Sequence, residues 1–187
     1  MKKLFPEKST ITYLDKDEIE GKLSELYNAK KNLEKIAIDE VNCGLFQVRT
    51  RAAKETLINR AVEIMNEILK KILEICSEGI KNTKKSYEDR KKKLSPDEPN
   101  QLNEDELKEL HKLVSENDTT MQKLKNEVDT IANYFLTLEK YLYKIDDLTF
   151  GSFWSLKEWP QRIRDAVGEA QRVIQEREAK LSEKLEN

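Results

Sequence analysis

The sequence has few residues that bend, bridge or react. Among 187 residues there are 5 glycines, 4 prolines, 2 cysteines, 2 tryptophans and 1 histidine. So few helix breakers leave room for long amphipathic helices. The single histidine, His111, excludes a ferritin-like di-iron site, which needs paired Glu-x-x-His motifs on inward faces. It has no Cys or His at ligand spacing and is read as a surface or boundary residue. Cys43 and Cys76 form no C-x-x-C pair, and two thiols in such a chain fit a reducing compartment. No glycine-rich phosphate loop occurs, so no nucleotide cradle is expected. No apolar run approaches about 18 residues, so no membrane span is expected. The opening "MKKLFPEKST" has lysines but no apolar segment behind them, unlike a secretory signal. Charge of one sign is also missing. The net charge is −2, which sets up no global field toward nucleic acid or anionic lipid.

What is present is charge and apolar residue in equal measure, 37 % of each. The apolar residues recur with helical spacing, which argues against disorder. From Leu107 the series runs Leu110, Val114, Asn117, Met121, Leu124, Val128, Ile131, Phe135, Leu138, Leu142 and Ile145, in steps of three and four. This predicts one helix over about 104–146, capped by Asn103 with Glu106 three residues on. Asn117 is then a polar residue on a buried seam, where it costs stability and can fix register. A second long helix is expected over about 51–93. Its stripe is Leu57, Ala61, Ile64, Ile68, Ile72 and Ile75, widened by Ile58, Met65, Leu69, Leu73 and Cys76 and narrowing to Ile80, Tyr87 and Leu94. Its closing "RKKK", Arg90 to Lys93, suits a helix C-terminus; the alternative, a nucleic-acid patch, lacks supporting aromatic or basic clusters. Pro96 and Pro99 mark the joint over 94–103, and nearly equal arms with a short joint imply an antiparallel hairpin.

Two shorter helices should cover that hairpin. One spans about Asp17–Ala37, with Ile19, Leu23, Leu26, Leu33 and Ala37 inward. The other starts at Pro160, a favoured first-turn residue, and carries Ile163, Val167, Ala170, Ile174 and Leu181. Residues 1–16 are expected to be extended or flexible. Residues 147–159 are expected to form an aromatic loop around Phe153, Trp154 and Trp159, with Trp159 buried. The stretch 38–50, around Gly44, reads as strand or extended chain. With no partner strand evident, the expectation is an extended connection that packs Leu45 and Phe46 into the bundle end. The whole is an all-α, elongated antiparallel bundle in a single domain. Carboxylate pairs fall on polar helix faces, where i, i+4 ion pairs explain them, and Cys76 lies on an apolar stripe. No catalytic, cofactor or metal constellation is read.

Several segments, in order, resemble the tail of axonemal dynein heavy chains just ahead of the linker. That family shows G-L-F-x-V, matched by Gly44, Leu45, Phe46 and Val48. A helix of the form K-x-x-L-x-x-[KR]-A follows, matched by Lys54, Leu57, Arg60 and Ala61. After a proline-containing joint comes a second helix like "EPNQLNEDELKELHKLV", then W-P-x-R-I, matched by Trp159, Pro160, Arg162 and Ile163. The resemblance covers about residues 36–185. It departs where the family often has an aromatic two residues before the tryptophan; here Lys157 stands there. The resemblance implies a fragment of a large motor. It would be a strut and docking surface without ATP sites of its own, meeting neighbouring tail segments and accessory chains in a cilium or flagellum axoneme. No cofactor, nucleic acid or membrane partner is expected. The competing class is a peripheral membrane-binding or scaffold bundle acting as a dimer. That needs a continuous basic face, whereas Lys and Arg here alternate with Asp and Glu.

Overall fold

The computed structural model describes residues 16–36, 40–96, 99 and 102–186. The fold is all-α, a helical bundle with one small hairpin. Its elements are α1 (Lys16–Lys35), β1 (Glu40–Cys43), β2 (Phe46–Arg49), α2 (Arg51–Leu94), α3 (Glu104–Ser115), α4 (Asn117–Lys140), α5 (Asp147–Ser155), a 3-10 turn (Leu156–Glu158) and α6 (Trp159–Glu186). Residues 1–15, Ala37 and most of the 97–101 joint, about which the sequence also gave expectations, lie outside the described residues.

The described chain groups into two compact units. The first holds α1, the hairpin, α2 as far as Ile75, and residues 137–144. Its core is Ile19 and Leu23 of α1, Met65, Ile68, Leu69 and Ile72 of α2, and Leu138. The hydroxyl of Thr137, itself buried, donates to Glu20 Oε1 at 2.9 Å. Tyr27 meets Tyr141 edge-on, with centroids 5.8 Å apart.

The second unit holds the rest of α2, α3, α4 up to Leu136, α5, the turn and α6. Cys76, Ile80, Tyr87 and Leu94 of α2 are buried there, with Leu110, Leu124 and Ile131 of the next arm and Ile163, Ala170 and Ile174 of α6. Thr83 donates to Glu127 at 3.1 Å, and Gly79 faces Ile131 so closely that a Cβ there would lie 3.2 Å from its side chain. The pairs 79 with 131 and 83 with 127 run in opposite directions along the chain, so α2 and α4 are antiparallel here. At the far end of α6, Arg177 donates to the Leu102 carbonyl at 2.6 Å.

The cap of α3 is as the sequence predicts. Asn103 Oδ1 accepts from the Glu106 amide at 2.9 Å, and Glu106 returns a carboxylate to the Asn103 amide at 2.9 Å. Three expectations need correction. The second arm is not one helix over 104–146, because it breaks at Glu116 and ends at Lys140. The end is a Schellman closure: Tyr143 N–H donates to the Leu138 carbonyl and Leu142 N–H to that of Glu139, both at 2.9 Å. Leu142 sits at φ +54 and is 91 % exposed, so it lies off the seam. Second, residues 147–159 are not a loop. Asp146 caps α5 by accepting from the Thr149 amide at 2.7 Å, and that hydrogen bond holds its carboxyl below the usual carboxylate range. Third, the 38–50 connection contains an antiparallel hairpin pairing Glu40 with Arg49 and Cys43 with Phe46. Along α2 the expected stripe is buried at Ala61, Met65, Ile68, Leu69, Ile72 and Cys76, while Leu57 and Ile75 of the same stripe are exposed.

Candidate functional site

The hairpin turn is built on Gly44, at φ +63. Leu45, the second turn residue, has no positive φ, so the turn follows the II′ pattern, which wants glycine first. Leu45 is 100 % exposed and Phe46 75 % exposed. Neither packs into a bundle end, contrary to expectation. Val48 pairs with Val41 through the backbone.

The break at Glu116 has an identifiable cause. Glu116 adopts φ −85, ψ 0, and its amide reaches Lys112 O and Val114 O. The next ladder bond, from Asn117 N–H to Leu113 O, is missing. Arg90 of α2 donates through Nη2 to that same Leu113 carbonyl. A side chain inserted into the ladder is a standard origin of a helix break. Arg90 is therefore not a solvated member of "RKKK". It is buried, and desolvation pulls its pKa down while Glu116 opposes that pull. Asn117 is also buried, and its Oδ1 has no hydrogen-bond partner.

The aromatic corner of the second unit divides into a buried half and an exposed half. Trp159 opens α6, is 7 % exposed, and stacks on Tyr87 of α2 with centroids 5.9 Å apart and planes 10° apart. Pro160 follows in the first turn, where no amide is needed. Arg162 lies 5.2 Å over the Trp159 ring and is ion-paired with Glu158 at 2.7 Å; Ile163 is fully buried below. Phe153 is buried against Phe135, centroids 4.9 Å apart. Trp154 points the other way, 48 % exposed, with Phe150 beside it. Lys157 places Nζ 3.7 Å from the Trp154 ring centre. This is a cation–π contact on the exposed face of the corner.

Next to this corner, α4 and the start of α6 flank a groove of about 590 Å³. Tyr87 and Leu156 form its floor, with Met121 and Val128 on one wall and Pro160 on the other. The alternation along the second arm explains the opening. One row of its seam, Leu110, Asn117, Leu124 and Ile131, is buried throughout. In the other row, Val114, Met121 and Val128 are only half-buried, while Phe135 is sealed by Phe153 and Phe150. Nothing in the sequence pattern separates the covered row from the uncovered one.

Among the described residues, Cys76 and His111 lie apart from each other and from the groove. Burial pushes the Cys76 thiol up to about 12. His111 is exposed and lies 3.5 Å from Glu178. Among the described residues no group of His, Cys, Asp and Glu is placed to hold a metal ion, and no helix is long and apolar enough to cross a membrane. Comparison with protein-family models, with curated proteins and with solved structures gives no match.

Proposed function

We propose that the chain is a non-catalytic structural segment of a dynein heavy-chain tail, a helical strut and docking surface between tail and linker in a ciliary motor. The observation that carries this reading is the ordered series of Gly44-Leu45-Phe46-x-Val48, Lys54-x-x-Leu57-x-x-Arg60-Ala61 and Trp159-Pro160-x-Arg162-Ile163, separated by two long helical arms. Two physical features support the roles assigned. As a strut, α2 is unbroken over 44 residues, about 66 Å at 1.5 Å per residue. As a docking surface, the hairpin tip, the Trp154 face and the groove beside Met121 leave apolar side chains to a partner.

The test is incorporation. The chain, tagged and expressed in ciliated cells, should enter the axoneme fraction and leave it in the high-salt extract that releases the motors. The transcript should also continue past Asn187 into a linker and an ATPase ring. A diffuse cytosolic distribution, or pelleting with anionic liposomes at physiological salt, would overturn the reading.

A further inference from the structure

We infer that the groove between α4 and α6 is a seat for an acidic amphipathic helix from another protein segment. This deepens the docking role proposed above and rests on it.

Met121 and Val128 form the apolar wall of the groove, and both belong to the uncovered row. Val114, Met121 and Val128 repeat every seven residues, which is the spacing a second helix reads. Where the same row reaches Phe135, the aromatics of α5 cover it, so the row is built for cover. The groove runs along α4 from Asp118 to Asp129, about three helical turns, which matches a short helix rather than a compact ligand.

The charges choose the occupant. The α6 bank carries Lys157 and Arg164, and Lys125 stands on the α4 bank. None of the three meets a carboxylate among the described residues. Arg164 directs both Nε, at 3.1 Å, and Nη2, at 2.7 Å, to the neutral amide oxygen of Gln161. Lys157 rests on the Trp154 ring. Elsewhere, Arg60 and Arg172 pair with glutamates of their own helices, and Arg162 pairs with Glu158 of the preceding turn. The α4 bank also holds Asp118 and Asp129, so the acidic side chains of the occupant lie against α6. A guanidinium fork on a neutral amide is readily redirected to a carboxylate, which it binds more strongly.

The experiment uses two synthetic helical peptides with the same leucine heptads, one with glutamates at the flanking positions and one with lysines. Each is titrated into the whole chain and followed by calorimetry. The glutamate peptide should bind saturably and roughly tenfold more tightly than the lysine peptide, with the preference weakening as salt rises. The double variant Lys157→Glu, Arg164→Glu should invert the preference. Met121→Lys should abolish binding of both while circular dichroism shows an intact fold. Equal binding of the two peptides, or none, overturns the inference. So does concentration-dependent self-association that Met121→Lys removes, because a second copy would then fill the groove. Axonemal incorporation is read separately, so the peptide result and the tail reading can fail independently.

Discussion

Arg90 donates to the Leu113 carbonyl, the acceptor that a continuous helix would give to the Asn117 amide. One side chain on α2 thereby decides that the facing arm is two helices. Replacing Arg90 with Met keeps most of the apolar stem and removes the donor. The 117–113 bond should then form, and the Asn117 amide should gain protection in hydrogen exchange. Stability should change by less than about 1 kcal/mol, since a buried charge is exchanged for apolar volume. Unchanged exchange at Asn117 would mean that the break has another cause.

Asn117→Leu should raise stability by about 1 kcal/mol, because a buried oxygen without a partner is removed. Asn117→Pro should cost less than the ~3 kcal/mol of a mid-helix proline, because this amide opens α4 and makes no bond to Leu113. Urea melts decide both. A loss of 3 kcal/mol or more for the proline would indicate a helix that is continuous in solution.

Trp159→Ala should cost about 3–5 kcal/mol, as expected for a large aromatic truncated in a core, here one stacked on Tyr87. Trp154→Ala, on the exposed face of the same corner, should cost under about 1 kcal/mol. Equal losses in denaturant melts would contradict this division of the corner.

The Cys76 thiol is protonated in the folded chain until pH nears about 12, whereas an exposed thiol ionises near 8.5. Between those values the native state holds the extra proton. The contribution to stability is complete below about 8.5 and is lost as pH rises toward 12. In a Cys43→Ser background, a disulfide reagent at pH 8 should modify Cys76 only as fast as the chain opens. Modification at the rate of a free thiol would show that the site is accessible.

Local chemistry was legible wherever it also fixed the structure. Asn103 and Glu106 announced their cap, Pro160 its helix start, and the α2 seam its full length. The break at Glu116 was illegible because one missing hydrogen bond leaves the three-four spacing of apolar residues untouched. Its cause, Arg90, lies 23 residues before Leu113 and sits in a run that reads as solvated cations. Residues 147–155 looked like a loop because Gly151, Ser152 and Ser155 dilute any periodicity. Asp146 capping Thr149 was the available signal. The hairpin was missed because four-residue strands are too short for alternation to stand out, and its turn, Gly44-Leu45, also belongs to an apolar cluster that resembles core.

The hairpin has a consequence for how the chain behaves at high concentration. Both of its strands are edges, each with a row of backbone donors and acceptors turned outward, and the tip adds Leu45 and Phe46. Glu40, paired with Arg49 at 3.4 Å and accepting from Gln47 at 2.8 Å, holds polar groups across one face of this ribbon. These three side chains are its gatekeepers. Replacing them with apolar residues would turn this ribbon into a template for sheet growth, and turbidity would rise without any loss of helical fold.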